Sequence, residues 1–170
     1  MDAVAKLIAI EEIKQLKARY FRFVDTRDWV GLAQQFCRDA VFDCSEGLHY
    51  TPVGGEPIGL TGPINHGRDN IIAWISDAFV NQTSVHHGHC HEITIDSETE
   101  AHGVIAMEDY IRGLDRKTKL LHAAGHYWET YRYEDGAWRI ATTKLTRLFS
   151  DMAEDKFYAS GVDEPQVAAE

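Results

Sequence analysis

Four of the nine histidines in this 170-residue chain fall between positions 86 and 91, in the stretch SVHHGHCHEITID. Read as a strand, that stretch alternates. His86, Gly88 and Cys90 take one face, and His87, His89 and His91 take the other. Two chemistries suit the pattern. Three imidazoles on one face, joined by a carboxylate or a further histidine from elsewhere, can ligate zinc or non-heme iron. A single imidazole held by a carboxylate can instead serve as a base, since neutral imidazole accepts protons near neutral pH and the carboxylate fixes its tautomer. Solvent-facing or core-satisfied roles account for at least two of the four.

Three further residues stand out by position. Asp25 lies at the C-terminal end of a helical pattern, where the helix dipole favours cations over carboxylates. Asp28 is better placed to cap the helix that follows, so Asp25 is either a solvated turn residue or the partner of something distant. Paired with His86 it would form a base dyad. Asp109 sits among Ala101, Gly103, Ile105, Met107 and Ile111 on one strand face, a costly place for an acid unless it is paired, hydrogen-bonded or protonated. Arg147 falls on an equally apolar face with Ala141, Thr143, Leu145 and Phe149. Asp109 and Arg147 can meet if the two faces share an interior. The alternatives are a bulge that turns Asp109 outward, or an ion pair of purely structural use.

The elements that must position these groups follow from periodicity. Ile10, Ile13, Leu16, Tyr20 and Val24 recur at helical spacing and predict a long amphipathic helix over 4–24, with Lys6, Glu12, Lys14, Lys17 and Arg19 on its polar side. A short helix over 28–36 starts at Asp28, and residues 40–45 read as a strand. Residues 50–65 hold three of the four prolines and four glycines, which predicts a loop or irregular hairpin of lid-like length. A third helix spans 66–79. Four long strands follow, over 84–96, 99–114, 119–135 and 136–151, and Asp135-Gly136 marks a hairpin turn. Helices first and antiparallel strands after them indicate an α+β fold with its sheet curling around the helices. One domain over 1–162 is expected, with an acidic tail over 163–170 that frays.

Composition narrows the function classes. Lys and Arg number 17 against 27 Asp and Glu, a formal net charge of −10, and no basic cluster offers a nucleic-acid footprint. No apolar run approaches the roughly 20 residues of a membrane span, and the N-terminus lacks a signal-peptide pattern. Cys37, Cys44 and Cys90 show no close CxxC spacing and fit reduced thiols, so a cytoplasmic location is expected.

The same residues carry a family resemblance. The long helix ending in RYFRFVD, the short helix after TRDW and the final strands ending in DGAWRIATTKLTR resemble the SnoaL-like branch of the nuclear transport factor 2-like fold over about residues 5–155. That resemblance implies a cone-shaped, cystatin-like architecture: a strongly curved, mostly antiparallel sheet wrapped around the long N-terminal helix, with a pocket at the wide end. Within the branch, SVHHGHCHEITIDSETEAHG followed by MED is most similar to the bile-acid 7α-dehydratase type. Scytalone dehydratase and hexachlorocyclohexane dehydrochlorinase are more distant relatives. The match implies a His86–Asp25 dyad with Tyr20, Asp109 and Arg147 lining the pocket. It also implies a dehydratase without a cofactor or catalytic metal, acting on a small apolar ring substrate. Cys44 stands where the bile-acid enzyme carries a second pocket tyrosine, and the 50–62 insertion is longer; both bear on the substrate. Isomerase chemistry in the same pocket, a metal enzyme built on His87, His89 and His91, and a non-catalytic binding module are the competing expectations. A homotrimer is expected from the family's habit of assembling through the outer sheet face, here carrying Tyr110, Leu120 and Trp128.

Overall fold

The computed structural model describes residues 1–152, so the expected frayed tail lies outside the described residues. Helix α1 (Ala3–Thr26) opens on Asp2, whose carboxylate accepts from the Ala5 N–H at 2.8 Å, and closes on Arg27 in the left-handed conformation. Helix α2 (Trp29–Ala33) is capped by Asp28, which accepts from the Gly31 N–H at 2.8 Å. Then come β1 (Phe36–Tyr50), β2 (Ile58–Gly59), β3 (Ile64–His66), α3 (Arg68–Ala78), β4 (Gln82–Ile95), β5 (Glu100–Gly113), β6 (Lys119–Glu134) and β7 (Ala137–Met152).

The strands form one mixed sheet in the order β2-β1-β7-β6-β5-β4, with β3 paired to β1. Every pairing is antiparallel except β1 with β7. Asp135 and Gly136 both take positive φ, 51° and 78°, the geometry of a tight turn between β6 and β7. The inner sheet face closes over α1 and α3 in a main core built from Ile13, Leu16, Val24, Ile71, Ile105 and Ile140 among others, beside a smaller cluster of Ile111, Leu120, Leu121 and Ala123. This is the α+β arrangement the sequence predicts. The first strand is longer than 40–45 because β3 and β7 pair along both its edges. The 50–65 stretch is an irregular hairpin, with Ile58 and Gly59 pairing back onto Tyr50 and His49.

Simple alternation fails at four bulges in the β4–β7 ladders, each of which inserts a residue and reverses the faces beyond it, and three of them move residues singled out in the sequence. In β4, Gly88 pairs with Met107 but the next partners are His91 and Ile105. His91 therefore turns inward and Cys90 is exposed, the reverse of the predicted faces. In β7, Arg147 pairs with Gly125 and Phe149 with Ala124, so the predicted inward Phe149 turns outward and Ser150 points in. In β6, Leu120 falls at an irregularity and is buried with Ile111, Leu121 and Ala123, which removes it from the expected outer surface. Trp128 does lie on that outer surface, 49% exposed.

Lys17 is also misplaced by the helical wheel. Its side chain is fully buried, with Nζ 2.6 Å from Glu129 Oε1 on β6. The Tyr131 hydroxyl donates to the other Glu129 oxygen at 2.6 Å, and the ammonium sits 3.6 Å from the Tyr127 ring centroid and 4.0 Å from that of Tyr20. Burial pulls the Lys17 pKa down, and Glu129 works against that shift. Removing one partner of such a pair strands the other charge, at a cost of about 3–5 kcal/mol, whereas replacing both is far milder. Urea denaturation should therefore show Lys17→Met strongly destabilised and Lys17→Met/Glu129→Leu recovering most of the loss. A double variant no more stable than the single one would contradict this account.

Candidate active site

Asp25 occupies the last turn of α1, and the loop that leaves the helix is fastened to the start of β4 by a hydrogen bond from the Arg27 guanidinium to the Gln82 carbonyl. That contact brings the helix end against β4, and Asp25 accepts three donors there. The Ser84 hydroxyl donates to Oδ1 at 2.8 Å, the His86 backbone N–H to Oδ2 at 2.9 Å, and His86 Nδ1 to Oδ1 at 2.7 Å. These donors offset the unfavourable dipole at this helix end. A carboxylate only accepts, so Nδ1 carries a ring proton, and in the neutral imidazole Nε2 keeps the lone pair. Among the described residues Nε2 has no hydrogen-bond partner, and His86 lines the cavity. Phe21 stacks beside the ring at 6.3 Å between centroids, and Phe79 meets it edge-on at 5.7 Å. Gly88 makes the first of these possible: a Cβ there would lie 2.4 Å from Phe21 Cε2.

Asp109 stands directly opposite His86 in the β4–β5 register and thus on the same face. Arg147 reaches it from β7 with two parallel bonds, Nη1 to Oδ1 at 3.0 Å and Nη2 to Oδ2 at 2.8 Å. Arg147 Nε also donates to the Gly47 carbonyl at 3.0 Å. Both side chains are almost fully enclosed, 3% exposed for Asp109 and 5% for Arg147. Burial works against the Arg147 charge, but Asp109 more than compensates and its pKa is raised.

Tyr20 is buried on α1 with its ring edge-on to Tyr127 at 6.1 Å. Burial, reinforced by the charge of Glu129, pushes its pKa well up, so the hydroxyl stays protonated and able to donate. The cavity these groups share measures about 210 Å³ and is walled by Phe42, Trp74, Ile75, Ile111, Leu121 and Leu145. No residue of the 50–65 hairpin lines it, so the lid expected there does not cover this site.

The five sequence candidates thus meet in one place: His86, Tyr20, Asp109 and Arg147 on the cavity wall, and Asp25 behind His86. Residues outside that set contribute too. Ser84 is a third donor to Asp25, and its signal was its shared parity with His86, two positions away. Tyr127 brings a second buried phenol whose pKa burial also raises. Ser150 lines the cavity because of the β7 bulge, which has no sequence signal. The metal alternative loses its geometry, since the β4 bulge separates inward His91 from outward His87 and His89. Among the described residues no group of three or more His, Cys, Asp or Glu is placed to hold an ion. His89 lies 3.7 Å from Glu108, which also takes 2.7 Å from His122.

Comparison with known proteins agrees with this architecture. The SnoaL-like domain family matches residues 5–144. A provisionally named scytalone dehydratase from Novosphingobium aromaticivorans superposes with a TM-score of 0.73 at 19% identity, covering 99% of this chain and 100% of its own. A type-3 hexachlorocyclohexane dehydrochlorinase from Novosphingobium barchaimii gives 0.68 at 16% identity over 96% and 99% of the two chains. A protein with a cystatin-like fold from Caulobacter vibrioides gives 0.61 at 16% identity over 82% and 89%. At these identities the likeness is one of fold. No helix among the described residues is long and apolar enough to cross a membrane.

The cysteines supply a check on the cavity's dryness. Cys44 lines it at 2% exposure, and burial raises its pKa to about 12; Cys37 is raised to about 12 by burial as well. A buried thiol that resists ionisation is a poor nucleophile. With a thiol-specific disulfide reagent at pH 8, only the exposed Cys90 should react rapidly in native protein, and all three after denaturation. Rapid native labelling of Cys44 would contradict an enclosed cavity.

Proposed function

The chain belongs to the SnoaL-like family, and from that premise and the cavity's geometry we propose that it is a cofactor-independent lyase, a dehydratase of a small apolar ring substrate. The observation that carries this reading is the 2.7 Å bond between His86 Nδ1 and Asp25, which in the neutral ring makes Nε2 the basic nitrogen of a residue on the wall of an apolar cavity. A base so placed suits abstraction of a proton from a carbon next to a carbonyl. Asp25 holds the productive tautomer and balances the imidazolium that forms.

The elimination balances without a redox partner. Nε2 takes the proton, the C–H electron pair becomes the new C=C bond, and the C–O bond breaks toward the departing hydroxyl. The proton gained by His86 equals the one that hydroxide needs to leave as water. Tyr20, a neutral buried phenol, is suited to donate to the carbonyl oxygen as negative charge develops there. Asp109 and Arg147 define the polar end of the cavity. The cavity volume also bears on the substrate. At about 210 Å³ it falls below the roughly 300–1,000 Å³ of common ligand pockets. One or two fused rings of a polyketide-like hydroxyketone fit that space, and the four rings of a hydroxysteroid would project from its mouth. The dehydratase and dehydrochlorinase names of the structural neighbours point toward elimination as well.

The test is turnover of cyclic β-hydroxyketones by wild-type protein, His86→Ala and Asp25→Asn. Removal of the base should lower the rate by roughly 10²–10⁴. Loss of the carboxylate should cost a comparable factor by releasing the wrong tautomer. Asp25→Asn keeps every wall residue and His86→Ala removes one ring from the wall, so ligand affinity should change far less than rate. Undiminished turnover in either one would refute the dyad.

A further inference from the structure

The buried charges around the cavity are committed to one another before any ligand arrives. Arg147 carries five N–H groups, and contacts among the described residues use four of them. Nε is on the Gly47 carbonyl, Nη1 is shared between Asp109 Oδ1 and Met107 Sδ at 3.4 Å, and Nη2 is on Asp109 Oδ2. Its guanidinium is therefore neutralised by a carboxylate in a two-point grip, with one N–H left over. Asp25, the other carboxylate at the site, accepts from Ser84, from the His86 backbone and from the His86 ring. Lys17, the remaining buried cation beneath Tyr20 and Tyr127, is matched by Glu129 at 2.6 Å. Of the other ionisable groups on the wall, Tyr20, Tyr127 and Cys44 are held in their neutral forms by burial, and the His86 ring is already paired with Asp25.

From this arrangement we infer that the cavity selects uncharged ligands, and that Asp109 is the residue that sets this selectivity by occupying Arg147. A ligand carboxylate would enter an apolar cavity whose Arg147 and His86 are already paired with carboxylates, and it would face Asp109 on the wall with Asp25 just behind His86. A ligand ammonium would find Asp109 already neutralised by the Arg147 guanidinium and Asp25 engaged by three donors behind His86. Desolvating either ion goes uncompensated. A neutral carbonyl escapes that penalty and can still accept the one spare Arg147 N–H. The consequence is a division of labour. The Asp109–Arg147 pair presents a single neutral donor at the polar end, where an unpaired arginine would have made an acid-binding site. The reaction that supplies this protein must accordingly deliver a neutral ring ketone or alcohol, with any acidic group lying outside the cavity.

The inference rests on the cavity being the ligand site, but its test needs no turnover. Three probes of matched shape separate the cases by calorimetric titration at pH 7.5: 2-acetylnaphthalene (neutral), 2-naphthoate (anionic) and 1-(2-naphthyl)ethylamine (cationic). Wild-type protein should bind the ketone at least about tenfold more tightly than either ion, a ratio worth about 1.4 kcal/mol. Asp109→Asn should unmask Arg147 and improve 2-naphthoate relative to the ketone by about tenfold or more. Wild-type binding of naphthoate or the amine as tight as that of the ketone would overturn the inference, as would an unchanged ratio in folded Asp109→Asn. If that variant fails to fold, the wild-type ratio still decides the matter. Failure of His86→Ala to lose turnover would refute the dehydratase reading while leaving this ratio untouched.

Discussion

The carboxylate of Asp25 ties the long helix to the strand that carries the base. It sits at the helix end where the dipole is least welcoming to negative charge, and it is held there by three donors from two residues of β4. One of those donors is the backbone N–H of His86 and another is its ring. The strand therefore cannot shift its register against the helix without losing the bond that sets the imidazole tautomer. Fold and site share one contact. The Phe21 ring, Gly88 and Phe79 complete the fit around the imidazole, and each depends on the same helix-to-strand docking.

A second constraint is that this small apolar interior contains several full charges. Lys17 with Glu129 and Arg147 with Asp109 join different elements at nearly zero exposure, and each is viable only as a pair. Lys17 lies on α1 and Glu129 on β6, so this pair pins the helix to the middle of the sheet while the dyad pins its end. Arg147 draws β7, β5 and the Gly47 region of β1 together around the polar end of the cavity. Satisfied ion pairs are directional where an apolar core is not. That gives the cavity fixed polar points between its hydrocarbon walls.

Much of this was legible in the sequence because the odd residues were odd against a regular background. An acid amid Ile105, Met107 and Ile111 announced a buried partner, and an acid at a helix C-terminus announced a distant one. Lys17 was missed because it lies beside Leu16 at the edge of the apolar stripe, where a long basic side chain ordinarily reaches solvent. Glu129, which shares parity with Tyr127 and Tyr131, was the available clue. The faces of His91, Phe149 and Leu120 were illegible for another reason. Alternation predicts a face only while the register is unbroken, and the extra residues in β4, β6 and β7 arise from how the sheet bends, which no local pattern encodes. The hairpin at 50–65 showed its composition plainly, but not that it contributes nothing to the cavity lining.

One proton decides the chemistry of the dyad. If Asp25 holds the His86 ring as described, Nδ1 of the neutral ring bears the hydrogen and Nε2 is the basic nitrogen. Nitrogen-15 NMR of histidine-labelled protein, with His86 assigned by substitution, reads this directly at neutral pH. The predicted result is a protonated, pyrrole-type Nδ1 and an unprotonated, pyridine-type Nε2, with that distinction weakened or reversed in Asp25→Asn. A His86 ring carrying its proton on Nε2, or one averaging freely between the two tautomers in wild-type protein, would contradict the account.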